Sequence, residues 1–323
     1  MLTAELRQAI RTATGLPDAD PLLRPGPAPC RYASSLPFRL ARRGQDPREV
    51  AADLAARLRG EPWIEAAEAT GAGYLTVTVT HDALADLAVR IPRAGPACAA
   101  SDALAGHTVP APPDTDPTAA PDWPSARGAL AAQLTARLAA TAGATFSYYP
   151  ERSVVPPSAT ASPVPTAVAY AGHDAVRFAL AATPPGGVPP RAEVIARHVL
   201  DNPAYAVRYA HAAAAAVLRW AASLDTGPGG FRPRLLTAPP ELALLGALSW
   251  LPERVAMAAR RGRPDEFAGY LAILAARTLD TMSTTGFTTI STISSERLWL
   301  ADAARTGLAA GLELLGVQAP ERI

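Results

Sequence analysis

The chain has 323 residues, 30 basic against 29 acidic side chains for a net charge of +1, 33 prolines, 23 glycines and two cysteines. All 30 basic residues are arginine, so there is no P-loop lysine on a phosphate, no Schiff-base amine, no lysine general base and no kinase-type phosphate lysine. A balanced charge exerts no global pull on nucleic acid, and any such binding must come from local arginine patches.

The hydrophobic share of 49% and charged share of 18% suit a globular protein of two or more domains. Leu2, Leu6, Ile10 and Ala13 recur at helical spacing and predict an opening amphipathic helix. A proline-rich loop leads to a short helix in SSLPFRLARR. Asp46-Pro47-Arg48-Glu49 then combines an N-cap, a proline suited to the first helical position and a glutamate at the capping-box site, opening a helix to about Arg59. Gly71 and Gly73 separate two strand-like runs, Trp63–Ala69 and Tyr74–Thr80, and His81–Val89 returns to helix. In the second run Leu75, Val77 and Val79 alternate with polar partners, as in a half-buried strand.

Residues 92–165 hold 13 prolines in 74 positions, a linker composition that predicts poor order between Gly95 and Trp123. Within it, Ser125–Ala142 reads as a helix and Ala144–Tyr149 as a strand. Residues 166–323 read as helices at Asp174–Ala182, Arg191–Leu200, Asn202–Leu224, Pro240–Arg261, Asp265–Met282 and Ser295–Leu315. Asn202-Pro203 is a helix start, Pro252 a break after Leu251, and Gly316 a stop. The expected fold class is α+β: a small mixed domain at 1–91, a reduced linker at 92–165 and an all-α helical bundle at 166–323. Cys30 and Cys98 lack ligand spacing and read as free thiols of a reducing compartment. The N-terminal stretch has no signal-peptide core, and no run approaches the ~18 apolar residues of a membrane span. These features predict a cytoplasmic protein without a membrane partner.

Four stretches, in order, resemble arginyl-tRNA synthetases. RYASSLPFRLARRGQDPREVAADLAARLRG with IEAAEATGAGYLTVTV is similar to their additional N-terminal domain, which docks on the tRNA elbow and contacts the D-loop. GHDAVRFALA resembles the segment after their second nucleotide signature. DNPAYAVRYAHAAAAAVLRWA and GLAAGLELLGVQAPERI resemble the start and end of their helical, DALR-type anticodon-binding domain. The chain also resembles arginyl-tRNA synthetase-related anticodon-binding proteins, paralogues without the catalytic module. HIGH-type and KMSKS-type motifs are missing: Gly106-His107 and Gly172-His173 have no partner histidine, and KMSKS cannot be written without lysine. A proline-rich middle is also a poor source for the doubly wound sheet that binds ATP; the helix and strand at 125–149 could be its vestige.

The resemblance implies tRNA as partner, with tRNA-Arg one candidate, and neither DNA, a metal nor a cofactor. It places Tyr74 and Thr76 against a D-loop base, Thr76 standing where the family usually has asparagine. Arg39, Arg42 and Arg43 are candidate phosphate contacts. In the helical domain the candidates are Tyr205, Arg208, Tyr209 and Phe287. For each, a plain surface or packing role is the alternative, and Asn202, Pro203 and His211 read as architecture. The family's Phe-Tyr pair near the anticodon aligns with Thr281-Met282, which predicts loose anticodon reading or none. The leading expectation is a non-catalytic tRNA-binding protein. One alternative is an adaptor that docks a synthetase or another tRNA-using enzyme. Another is arginine–tRNA ligase activity completed by a separate catalytic chain.

Overall fold

A computed structural model of the chain describes residues 1–112, 115–147, 163–284 and 294–323. The first stretch contains α1 (Leu2–Thr14), β1 (Leu23–Pro25), β2 (Arg31–Ser34), α2 (Leu36–Leu40), α3 (Pro47–Leu58), β3 (Ile64–Thr70), β4 (Tyr74–Val79), α4 (His81–Ala85) and α5 (Leu87–Ala94). The middle contributes β5 (Thr108–Pro110), α6 (Trp123–Thr141) and β6 (Thr145–Ser147). The remainder is helical: α7 (Pro163–Ala171), α8 (His173–Ala182), α9 (Ala192–Ile195), α10 (Pro203–Ser223), α11 (Pro239–Ser249), α12 (Leu251–Arg261), α13 (Pro264–Thr284) and α14 (Ser295–Leu315). The α+β class is as expected.

The N-terminal sheet is antiparallel and four-stranded, in the order β1-β2-β4-β3. Sequence periodicity predicts only β3 and β4. Strands β1 and β2 are three and four residues long, too short to show a period, and β2 is fixed by pairing Tyr32 with Val77 of β4. Leu75, Val77 and Val79 are at most 1% exposed on a strand packed against α2 and α3, each such side chain contributing roughly 1.5–3 kcal/mol through burial. The β3–β4 turn needs glycine. Gly73 has φ +126°, and a Cβ there would lie 2.6 Å from the Cβ of Pro47, at the start of α3. That close approach seats the hairpin on α3, where Arg48 Nε donates to Gly71 O at 3.1 Å.

The poor order expected between Gly95 and Trp123 gives way to defined structure at residues 95–112 and 115–122. A 3-10 turn covers Gly95–Ala99, and Cys98, Ala99 and Leu104 are at most 3% exposed. Ser101 N donates to Thr141 O and Leu104 N to Ala142 O, at 3.1 and 2.8 Å, tying this segment to the end of α6. Proline removes donors without preventing the remaining apolar side chains from packing. Strands β5 and β6 pair in parallel with α6 as their crossover, a single βαβ unit.

Two helix boundaries differ from expectation. The helix over Arg191–Leu200 shrinks to Ala192–Ile195, because the Asn202 carboxamide donates to the carbonyls of Ile195 and Arg197 at 2.8 and 2.7 Å. The break near Pro252 falls at Trp250, where α11 and α12 meet at 43°. Pro252 thus sits in the first turn of α12, where a missing N–H costs nothing. No single helix among the described residues is long and apolar enough to cross a membrane.

The N-terminal sheet domain and the helical bundle pack directly on each other. Arg7, 1% exposed, places Nε and Nη2 on the Glu253 carboxylate at 2.6–3.2 Å and Nη1 on Asp20 at 2.9 Å. Arg260 reaches the other Asp20 oxygen at 2.9 Å. Burial pushes the Asp20 pKa up, but the Leu22 N–H and the charges of Arg260 and Arg7 outweigh it and hold the carboxyl below its ordinary value. Tyr32 donates to Ser249 Oγ at 2.8 Å and meets Trp250 with ring centroids 5.4 Å apart, tilted at 31°. A Cβ on Gly246 of α11 would stand 2.7 Å from Pro29 Cβ, so the backbones meet closely there.

Candidate nucleic-acid interface

Because β4 alternates, its outward residues are Tyr74, Thr76 and Thr78, opposite the buried Leu75, Val77 and Val79. Tyr74 is 36% exposed and meets Phe38 of α2 edge-on, with ring centroids 5.0 Å apart at 67°. Phe38 is itself 40% exposed, so the two rings form an open aromatic corner. Phe38 escapes sequence reasoning: in SSLPFRLARR nothing distinguishes an outward aromatic from a core one. Thr76 shares the face but not the exposure. It is 9% exposed, and its hydroxyl lies 2.7 Å from that of Thr70 on β3. The expected donor–acceptor group for a base is thus engaged across the strands.

Arg39, Arg42 and Arg43 are all exposed, yet they do not converge. Arg39 lines a polar cleft of about 690 Å³ with Arg11, His107 and Arg260, at the junction of the two domains. Arg42 lines a different cleft, of about 480 Å³, with Asp53 and Arg57. Arg31 is spent within the sheet, bonding Glu68 at 3.0 Å.

In the helical domain Tyr205 and Tyr209, one turn apart on α10, stack at 5.6 Å and 21°. His198, in the turn before α10, stacks on Tyr205 at 5.3 Å and 12°. Sequence reasoning includes the two tyrosines and misses the histidine, since the short α9 brings it back over α10. These rings line an open groove of about 490 Å³ with Val199 and Leu200. Arg208 stands beside them, 3.8 Å from Asp174, and its buried Nε has no hydrogen-bond partner among the described residues.

Asn202 and His211 are architectural. Asn202 Oδ1 accepts from Ala204 N at 3.2 Å as the cap of α10. His211 is 1% exposed, and its Nδ1 bonds Pro320 O at 2.9 Å. Burial lowers the His211 pKa, keeping the ring neutral. Thr281 is fully buried and donates to Pro240 O, and Met282 is 8% exposed, so both belong to the core. Phe287 lies outside the described residues. Arg177, within the GHDAVRFALA stretch, donates to Leu315 O at 2.8 Å and so satisfies the end of α14. Among the described residues no group of three or more His, Cys, Asp or Glu could hold a metal ion. Cys98 is inert, its thiol pushed up to about 12 by burial.

Residues 1–79 match the family model of the arginyl tRNA synthetase N terminal domain, and residues 207–323 match that of the DALR anticodon binding domain. The arginine–tRNA ligase of Clavibacter sepedonicus is 42% identical over 135 residues, which cover 40% of this chain and 24% of that protein. That of Renibacterium salmoninarum is 38% identical over 162 residues, covering 48% and 29%. The chain thus spans less than a third of the length of these relatives. The arginyl-tRNA synthetase structure from Thermus thermophilus aligns with a TM-score of 0.44 at 21% identity, covering 99% of this chain and 59% of that one. The chain therefore carries two domains of the arginyl-tRNA synthetases, the N-terminal domain and the DALR anticodon-binding domain, packed against each other.

Proposed function

We propose that the chain is a non-catalytic tRNA-binding protein of the cytoplasm that grips the tRNA elbow with its N-terminal sheet and uses the helical domain for a second contact. The observation that carries this reading is the pairing of two tRNA-docking domain families around a middle without HIGH or KMSKS motifs. Tyr74 and Phe38 supply stacking surface, worth about 1–3 kcal/mol per base. Arg39, Arg42 and Arg43 supply phosphate contacts, Arg39 along one cleft and Arg42 along another. Filter binding of tRNA against duplex DNA at two salt concentrations tests this. The expected result is a tRNA preference whose affinity falls with salt by the few phosphate contacts made. Equal binding of both nucleic acids at micromolar protein would sink it.

A protein-docking role is the second reading, favoured by an apolar cleft of about 370 Å³ lined by Phe178, Ala182, Val188, Val194 and Ile195. Val188 is 82% exposed at its edge. Such a surface suits a protein partner, and the domain families make a synthetase or another tRNA-using enzyme the candidate. A partner that stays bound after nuclease treatment would favour this reading. Ligase activity would need a separate catalytic chain, and ATP–pyrophosphate exchange by the pure protein with arginine and tRNA would overturn the non-catalytic assignment.

A further inference from the structure

The helical domain carries an apolar projection beside an apolar hollow. Between α8 and α9 the chain runs through PPGGVPP, with prolines at 184, 185, 189 and 190 that fix their own φ angles. Gly187 N donates to Pro184 O at 2.9 Å and closes a tight turn. The next residue, Val188, is 82% exposed, more than any other large hydrophobic side chain among the described residues. It stands at the edge of the cleft of about 370 Å³, which the buried Phe178 and Ile195 line together with the exposed Pro184, Pro190 and Val194. A lone exposed valine is ordinary. One on a proline-stiffened loop at the rim of an apolar hollow is a contact surface ordered in advance, which removes part of the ordering cost of association.

Four charged residues frame this hollow. Arg191 and Glu193 fall in sequence between its lining residues Pro190 and Val194, and Asp201 lines it directly. Arg197 is tied to its wall through Asn202, whose carboxamide bonds the Arg197 carbonyl at 2.7 Å. All four are exposed, and among the described residues none of their side chains makes an ion pair or a hydrogen bond. We propose that this face is an isologous interface between two copies of the chain, the Val188 of each copy entering the hollow of the other. A two-fold axis sets one patch against itself, so the patch must complement itself in shape and in charge. A projection beside a hollow meets the first demand, and two arginines with two acids on one rim meet the second. A strongly acidic or basic partner would instead set two of those four charges against their own sign, which is costly at an interface. The pairing takes the cleft that the protein-docking reading gives to a foreign enzyme, and it is independent of the tRNA-binding reading. No residue of the N-terminal sheet domain lines the hollow.

Analytical ultracentrifugation of the full chain, from about 1 to about 100 micromolar, tests this. The wild type is expected to pass from monomer to dimer across that range. Val188→Asp should raise the dimer dissociation constant by roughly a hundredfold, because the two-fold axis counts the change twice. Its position is exposed, so the melting curve should stay in place. Charge is tested with two double variants. Arg191→Glu with Arg197→Glu leaves only acids on the rim, and Glu193→Arg with Asp201→Arg leaves only arginines. Each should be monomeric alone, and an equal mixture of the two should regain the dimer. A wild type that stays monomeric throughout overturns the proposal. So does a dimer unmoved by Val188→Asp, or a mixture no more associated than its parts. A synthetase retained by a monomeric wild type and lost from Val188→Asp would give the cleft to a foreign partner, and overturns it equally. Filter binding of tRNA runs alongside: a dimer that binds no tRNA removes the tRNA-binding reading alone, and a monomer that binds tRNA removes the pairing alone.

Discussion

The two domains differ in what their candidate recognition positions show to solvent. In the N-terminal sheet, Tyr74 still projects from β4, joined by Phe38. In the helical bundle, Thr281 and Met282, expected from the sequence to stand where the family has a pair near the anticodon, belong to the core. A domain likeness carries over what the core requires, because many packed side chains enforce it together. Recognition rests on a handful of exposed residues, and one change from aromatic to small can remove it while the core persists.

The interface gives the widest break of this comparison. Glu253→Gln weakens the pairing of the Arg7 guanidinium, and losing a buried partner costs about 3–5 kcal/mol. Urea denaturation should show one transition moved to lower midpoint; two separate transitions would mean that the domains are independent units. Met282→Ala should cost about 2–5 kcal/mol as a core truncation while leaving tRNA affinity unchanged in a filter assay. A loss of affinity there would return that position to the RNA face. Tyr74→Ala should do the reverse, weakening tRNA binding by about 1–3 kcal/mol and moving stability by less than about 0.5 kcal/mol. Gly246→Ala pushes a methyl into Pro29, and overpacking of this kind costs about 1–3 kcal/mol, read as a lower Tm.

The smallest effect is set by pH. Burial depresses the His211 pKa in the folded protein, so the unfolded chain takes up its proton first, near pH 6.5. The stability that a neutral His211 contributes is complete above that pH and is lost as pH falls from there to the folded pKa, about 1.4 kcal/mol for each unit of depression. Melting curves at about pH 7.5 and pH 5.5 should diverge less in His211→Leu than in the wild type. An equal divergence would assign the slope to other groups.

Much of this fold is written locally. Asp46, Asn202 and Gly316 mark helix ends through their own side chains or backbone, and each does so in the structure. The apolar alternation of β4 is equally local. Strand β2 is not, since its pairing is imposed by β4 from more than forty positions away, and β1 forms in turn against β2. Site residues follow the same division. Tyr74 was legible because strand alternation fixes its side. Phe38 and His198 were not, because their exposure depends on where α2 and the turn after α9 come to rest. The separation of Arg39 from Arg42 likewise arises only when the clefts on either side of α2 are formed.

The direct packing of the two domains also bears on avidity. Had the proline-rich segment been a tether, the second RNA contact would have occurred at an effective concentration set by linker length, falling as the linker lengthened. With Arg7, Pro29 and Tyr32 pressed into the helical domain, that concentration is set by fixed geometry. On the proposed function, an RNA whose two contact points match the spacing would gain the second contact without a cost to align the domains, and one with a different spacing would gain only the first. Selection among RNAs can therefore act through distance alone, with no base read by hydrogen bonds.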